Sequence, residues 1–302
     1  MRILFASTSE PLEAWRPLLA QALPHDELVL EPDPSVEVAL VAKPPAGTLS
    51  RLRGAKLIQS LWMGVDGLLA DPELPRGVPL ARLVDPGMVA AMTESVLAHV
   101  LDWHRHLYRY REQQRAATWR ALEQRLAADR TVGILGLGAL GAAAARGLAA
   151  LGFRVAGWSR RPKAIPGVHC TTRLEELLPI SDALVCLLPL TSATRGILDA
   201  RAFSRMPAGG CLINLARGAH VVVPDLLAAL ASGHLAHAYL DVFEREPLPP
   251  ADPLWSHPGV TITPHIAALT EPRTALPKVV ANIERVRRGE TPLDLVDRQA
   301  GY

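Results

Sequence analysis

The segment Gly136-Leu137-Gly138-Ala139-Leu140-Gly141 constrains the fold more than any other stretch of the chain. It follows a short apolar run, Thr131–Leu135, and opens an apolar helical stretch, Leu140–Leu151. In that setting each glycine has its own physical task. The first permits a tight turn, the second lets a pyrophosphate approach the backbone, and the third lets helix and strand pack closely. Unbonded N–H groups at the helix start then face the phosphates. The expectation is a strand–helix–strand unit that holds a dinucleotide at Gly136, Leu137, Gly138, Ala139, Leu140 and Gly141.

The second strand of this unit ends in Ala156-Gly157-Trp158-Ser159-Arg160-Arg161. An acid about 20 positions beyond the glycines usually binds the ribose 2′-hydroxyl. Ser159 stands in that place, followed by two guanidinium groups. Without a carboxylate there is no repulsion of a 2′-phosphate, and arginine offers it bidentate contacts. Ser159, Arg160 and Arg161 therefore point to NADP, with NADPH preferred and NAD still possible.

The rest of the chain repeats the same alternation. Arg2–Ala6, Val38–Val41, Leu57–Leu61 and Leu80–Leu83 read as strands, with helical or turn-like links at Leu12–Leu23 and Ser50–Gly54. After a long helical pattern from Val89 to about Arg115, further strands fit Thr131–Leu135, Val155–Ser159, Ala183–Leu187, Cys211–Leu215, Ala236–Leu240 and Val260–Thr263. Continuous apolar strands suit parallel sheets covered on both faces, so the fold class is α/β with two doubly wound domains. A length of 302 residues accommodates two domains, and 49% hydrophobic residues exclude general disorder. Lys plus Arg total 32 against 30 Asp plus Glu, a net charge of +2 that suits neither a nucleic-acid nor a membrane partner. The apolar run Val132–Leu151 carries Arg146 and several glycines, which argues against a membrane span. Cys170, Cys186 and Cys211 are odd in number and lack any Cys-x-x-Cys spacing, which fits a reducing cytoplasm and no disulfide scaffold. His99, His104 and His106 make a poor metal set, and no metal is expected.

Three segments in the last third each place a chemical group just after an apolar strand. Asn214-Leu215-Ala216-Arg217-Gly218 offers Arg217, Asp241-Val242-Phe243-Glu244-Arg245-Glu246-Pro247-Leu248 offers Glu246, and Thr263-Pro264-His265-Ile266-Ala267 offers His265. Strand C-termini are the edge where open parallel sheets bind ligands. Together the three could bind a carboxylate, support an imidazolium and deliver a proton.

The order of these motifs resembles the D-2-hydroxyacid dehydrogenase family over nearly the whole chain. It is most similar to the glyoxylate/hydroxypyruvate reductase A subgroup, on Trp158-Ser159-Arg160, Asn214-Leu215-Ala216-Arg217-Gly218, Glu246-Pro247-Leu248-Pro249-Pro250 and the terminal Gly301-Tyr302. The resemblance implies that Arg217 binds the substrate, His265 donates the proton and Glu246 hydrogen-bonds it. It implies that Leu188, Pro189, Leu190, Thr194, Ala216 and Asp241 line the cofactor. It also implies that backbone N–H groups of the Gly64-Val65-Asp66 loop hold the substrate carboxylate, with Trp62, Met63, Gly64 and Val65 binding substrate. Trp62 and Met63 depart from the small residues usual there. The implied architecture is a Rossmann cofactor domain (99–268) inserted into a flavodoxin-like substrate domain (1–98, with a C-terminal return over 269–302). The implied activity is NADPH-dependent reduction of small 2-ketoacids by a homodimer. A dinucleotide-sensing corepressor-like protein and a phosphoglycerate dehydrogenase are the alternatives; the near-neutral charge and the lack of a further regulatory segment argue against them.

Overall fold

A computed structural model describes all 302 residues and divides them into two compact units. Unit one comprises Met1–Met88 and Thr270–Tyr302; unit two comprises Val89–Leu269.

Unit one is built on β1 (Arg2–Ser7), β2 (Glu27–Val29), β3 (Val38–Ala42), β4 (Leu57–Ser60) and β5 (Leu80–Ala81). They form one sheet in the order β2-β1-β3-β4-β5, parallel throughout. Every residue of β3 is buried, as expected for a central parallel strand covered on both faces. Helices α1 (Leu12–Ala22) and α2 (Asp66–Ala70) belong to the same unit. β2, a three-residue edge strand with one exposed and two half-buried positions, is not among the expected strands because it is too short to carry a periodic signal.

Unit two opens in α3 (Pro86–His104) and α4 (Leu107–Arg115). It continues through β6 (Thr131–Leu135), α5 (Ala139–Ala150), β7 (Arg154–Trp158), β8 (Val168–Thr171), α6 (Leu174–Leu177), β9 (Ala183–Cys186), α7 (Ala200–Arg205), β10 (Gly210–Asn214), α8 (Val223–Ala231), β11 (Leu235–Leu240) and β12 (Val260–Ile262). The seven strands run parallel in the order β12-β11-β10-β9-β6-β7-β8. Strand order therefore reverses at the β6/β9 junction, the crevice where doubly wound sheets bind their ligands.

The helical pattern expected from Val89 to Arg115 is two helices. His106, at a φ of 58°, separates them, and its ring lies 3.1 Å from the Glu123 carbonyl oxygen. The break turns α4 off the axis of α3. Arg111 then pairs with Asp102 through both guanidinium nitrogens, at 2.7 and 2.8 Å. In an unbroken helix their spacing would put about 13 Å of rise between them.

The chain returns to unit one with α9 (Pro272–Arg287). The Glu271 carboxylate caps its first turn, and Ala275, Val279, Asn282 and Ile283 form its buried stripe. Asn282 donates to Gln59 Oε1 on β4 at 2.6 Å and accepts from the Leu293 N–H at 2.7 Å. Both amides are fully buried and both are satisfied, so this pair fixes the returning segment in register with the sheet.

Candidate active site

The glycine loop after β6 has the geometry its sequence demands. Gly136 takes a φ of +100°, and a Cβ there would lie 2.8 Å from the Leu187 carbonyl oxygen. A Cβ on Gly141 would come within 1.9 Å of the Gly136 carbonyl oxygen, so only glycine lets α5 close on the loop. Gly138 is different, because nothing lies within 4 Å of its hypothetical Cβ. It is exposed, as is Ala139 at the helix start. That open face beside free helix N–H groups is where a pyrophosphate would fit. Leu137 is buried and leans over Gly157 on β7, where a Cβ would sit 2.5 Å from it. Leu140 is half-buried against the core of unit two.

At the end of β7 the chain turns on Ser159. Its N–H donates to the Thr171 carbonyl (3.1 Å) and its hydroxyl to the Arg161 carbonyl (2.7 Å). Arg160 and Arg161 follow, both exposed. The turn presents two cations and no carboxylate of its own, a donor set suited to a 2′-phosphate. Beyond β9, Leu188 is buried while Pro189 and Leu190 are half-buried. Thr194 Oγ1 donates to the Pro189 carbonyl at 2.8 Å and accepts from the Thr191 N–H at 2.9 Å, so this hydroxyl shapes the loop.

The structure brings Glu246 and His265 together. Glu246 Oε2 lies 2.7 Å from His265 Nδ1, and Glu246 Oε1 accepts the Phe243 N–H at 2.8 Å. Burial works against the Glu246 carboxylate, but the His265 and Phe243 hydrogen bonds and the charges of His265 and Arg217 outweigh it. Its pKa is held below the usual carboxylate range. The Arg217 charge is thus felt at the pair. Arg217 Nη1 donates to the Ala216 carbonyl at 2.8 Å, which orients the guanidinium. Buried Asn214 supports this turn, donating to the Arg217 carbonyl at 3.0 Å and accepting from the Ala216 N–H at 3.2 Å. Gly218 explains the Arg-Gly pair: a Cβ there would lie 2.0 Å from the Phe243 carbonyl carbon. The Arg217 and Glu246 loops press together backbone to backbone.

His265 has a φ of 55°, a left-handed conformation that is strained for a residue with a Cβ. Asp241 holds it there. The Asp241 carboxylate is buried and accepts three hydrogen bonds: Thr263 Oγ1 at 2.6 Å, the Ile266 N–H at 2.9 Å and the Ala267 N–H at 3.0 Å. Its backbone carbonyl takes the His265 N–H at 2.8 Å. The sequence marked Asp241 as a cofactor neighbour; this clamp on the His265 loop was not read from it. Nor was the support from Asn214, although a polar residue ending an apolar strand is a usable signal.

In unit one, Trp62 is half-buried and its indole N–H donates to Glu10 Oε1 at 2.8 Å. Its backbone is held by Ser60 Oγ and by the Leu83 N–H. Met63 and Gly64 are half-buried, and buried Val65 precedes α2.

A doubly wound sheet with a glycine-rich phosphate cradle, and an acid–imidazole pair beside an arginine, define a dinucleotide-dependent oxidoreductase. Comparison with known proteins agrees. The sequence model of the D-isomer specific 2-hydroxyacid dehydrogenase NAD binding domain matches residues 97–267. A glyoxylate/hydroxypyruvate reductase A of Serratia proteamaculans is 43% identical, covering 100% of both chains. A D-isomer specific 2-hydroxyacid dehydrogenase of Xanthobacter autotrophicus, solved with NADPH and MES, superposes with a TM-score of 0.96 at 43% identity, covering 100% of this chain and 99% of that one. The NADPH-dependent glyoxylate/hydroxypyruvate reductase of Sinorhizobium meliloti, solved with NADP and sulfate, gives 0.94 at 38% identity and the same coverage. The chain belongs to the D-isomer specific 2-hydroxyacid dehydrogenase family and is an NAD(P)-dependent oxidoreductase.

Proposed function

We propose that the chain reduces small 2-ketoacids with NADPH, taking glyoxylate to glycolate and hydroxypyruvate to D-glycerate. The observation that carries this reading is the 2.7 Å Glu246–His265 pair, with the Arg217 charge acting on it. The relatives' names supply the substrate class, and the acid-free Ser159-Arg160-Arg161 turn supports NADP over NAD.

The bound dinucleotide supplies a hydride for the keto carbon. His265, protonated and paired with Glu246, gives its proton to the forming alkoxide. Glu246 stays ionised and stabilises that imidazolium. Arg217 neutralises the substrate carboxylate and polarises the carbonyl where negative charge develops. Gly136, Gly138 and Gly141 give the pyrophosphate access to backbone N–H groups, and Arg160 and Arg161 take the 2′-phosphate. The Trp62–Val65 loop takes part in substrate recognition, with Trp62 limiting the length of the ketoacid side chain.

The working form is a homodimer in a reducing cytoplasm. Three free thiols suit that compartment, and no helix is long and apolar enough to cross a membrane. Trp119 and Leu126 stand exposed on the irregular stretch after α4. That stretch is nonetheless fixed: Tyr110 Oη accepts the Leu122 N–H at 2.9 Å, and the His106 ring meets the Glu123 carbonyl. Exposed apolar groups on a fixed segment suit burial against a second copy. The deciding experiment is NADPH oxidation across a panel of 2-ketoacids. Turnover of glyoxylate and hydroxypyruvate supports the reading, and no turnover with any member overturns it.

A further inference from the structure

We propose that His220 is a positioning residue for Arg217, a strut between the loop that presents the guanidinium and the loop after β9. This rests on the reading of Arg217 as the carboxylate-binding residue. His220 ends the one-turn segment Gly218–His220 and is completely buried. Its Nδ1 lies 3.0 Å from the Arg217 carbonyl oxygen, and its Nε2 lies 3.4 Å from the Pro189 carbonyl oxygen. The imidazole therefore spans two turns that are far apart in sequence. The Pro189 carbonyl is a shared node, because Thr194 Oγ1 also donates to it at 2.8 Å. Backbone bonds run alongside the strut: the Gly196 N–H donates to Ala219 O at 2.8 Å, and the Leu198 N–H donates to His220 O at 3.0 Å.

The same Arg217 carbonyl also accepts from Asn214 Nδ2 at 3.0 Å and from the His220 backbone N–H at 3.2 Å. The guanidinium in turn folds back on Ala216 O. Its aim is thus set by a backbone turn gripped between Asn214 and His220. Packing alone gives no reason for an imidazole here. An aliphatic side chain would fill the space without the cost of burying two polar nitrogens. A neutral imidazole carries one N–H, so donation from Nδ1 to the closer Arg217 carbonyl, at 3.0 Å, is the bond that explains a polar ring here, with Nε2 lying 3.4 Å from the Pro189 carbonyl.

The test uses His220→Leu, which keeps bulk and removes both contacts, and His220→Asn, whose amide nitrogen falls where Nδ1 was and keeps only the Arg217 contact. Oxalate, a carboxylate that cannot be reduced, is titrated into NADP⁺-saturated protein by calorimetry, and glyoxylate kinetics are measured beside it. We expect His220→Leu to weaken oxalate and raise the glyoxylate KM by roughly ten-fold, the size of one lost buried hydrogen bond. His220→Asn should recover most of the oxalate affinity. In an Arg217→Lys background, His220→Leu should add little, because coupled residues are not additive. Wild-type oxalate affinity in His220→Leu overturns the proposal. So does an equal loss in both backgrounds, or a His220→Asn variant no better than His220→Leu. If His220→Leu fails to fold, His220→Asn and His220→Gln, which keeps only the Pro189 contact, carry the same comparison, and equal oxalate affinities in these two overturn it. Arg217→Ala separates the two readings. Unchanged oxalate affinity there overturns the carboxylate role of Arg217 and this proposal with it. Lost affinity there with none lost in His220→Leu overturns this proposal alone.

Discussion

At the scale of single residues the proposed chemistry rests on a few side chains held by specific partners. His265 meets Glu246 at 2.7 Å, with its backbone held in a left-handed conformation by the Asp241 clamp. In the proposed mechanism His265 donates its proton in the transition state, so His265→Ala should act mainly on kcat, lowering it by roughly 10²–10⁴-fold. Steady-state kinetics with saturating NADPH check this, and a fully active variant would remove His265 from the mechanism. The proposed preference for NADPH has an equally local origin. Ser159 turns the chain at the end of β7 and two exposed arginines follow it. Ser159→Asp combined with Arg160→Ala adds a carboxylate for the ribose hydroxyls and deletes a cation. Each lost charged contact to the 2′-phosphate is worth about 1.5–3 kcal/mol, enough to turn the preference toward NADH. The readout is the ratio of kcat/KM for NADPH and NADH. A wild-type ratio near unity would refute the premise.

At the scale of elements, the sequence disclosed what a periodic or glycine-punctuated pattern can encode. β6, the glycine loop and α5 were legible because sterics leave no substitute for Gly136 and Gly141 where they lie against the Leu187 and Gly136 carbonyls. The Arg217 and Glu246 segments were legible because each follows a buried apolar strand, β10 or β11, and the His265 segment because it follows β12, a half-buried strand with an apolar residue at each end. What escaped was set by tertiary contact. β2 and β8 are short edge strands, defined by their neighbours β1 and β7 rather than by their own residues. The break between α3 and α4 has no proline or glycine to announce it. It is fixed by the Arg111–Asp102 pair and by His106, contacts that exist only once the chain has folded. The Asp241 clamp was hidden for the same reason. The Trp62 loop lies between these cases. Its sequence was conspicuous, but its anchor, Glu10 Oε1 at 2.8 Å from the indole nitrogen, was not. That hydrogen bond fixes the plane of a side chain able to cover about 150–250 Å². With Trp62 as the wall that excludes long ketoacids, Trp62→Gly should raise kcat/KM for phenylpyruvate relative to glyoxylate and leave NADPH affinity unchanged. An unchanged ratio in a folded variant would assign the ring to packing against its own unit.

At the scale of the whole molecule, acid stability separates two kinds of titratable group. Glu246 and Asp102 have pKa values below the usual carboxylate range, in each case because hydrogen bonds and nearby cations outweigh burial. A depressed carboxylate contributes stability above its unfolded pKa of about 4, so that contribution is lost only in strong acid. The histidines behave differently. His237 is buried on β11 between the rings of Tyr108 and Tyr239, with centroids 4.2 and 4.8 Å away. Its Nε2 meets Thr261 Oγ1 at 2.8 Å, while Nδ1 has no partner to receive a proton's charge. Burial, helped by the Arg111 charge and opposed by Asp102, pushes its pKa down to about 4. The unfolded chain, with histidine near 6.5, then binds more protons than the folded one between these values. His237 is consequently without penalty above about pH 6.5, and it progressively destabilises the fold as the pH drops toward 4, by about 2 kcal/mol at pH 5. Burial lowers His99, His104 and His106 as well, so the wild-type slope has several sources. His237→Phe isolates one of them. It keeps a ring between the two tyrosines and gives up the Thr261 hydrogen bond, which costs about 1 kcal/mol at neutral pH. Denaturant melts at pH 7.5 and pH 5 should therefore show the variant less stable than wild type at the higher pH and equal to it or more stable at the lower. If both proteins lose the same stability between these two pH values, His237 is not the group that titrates.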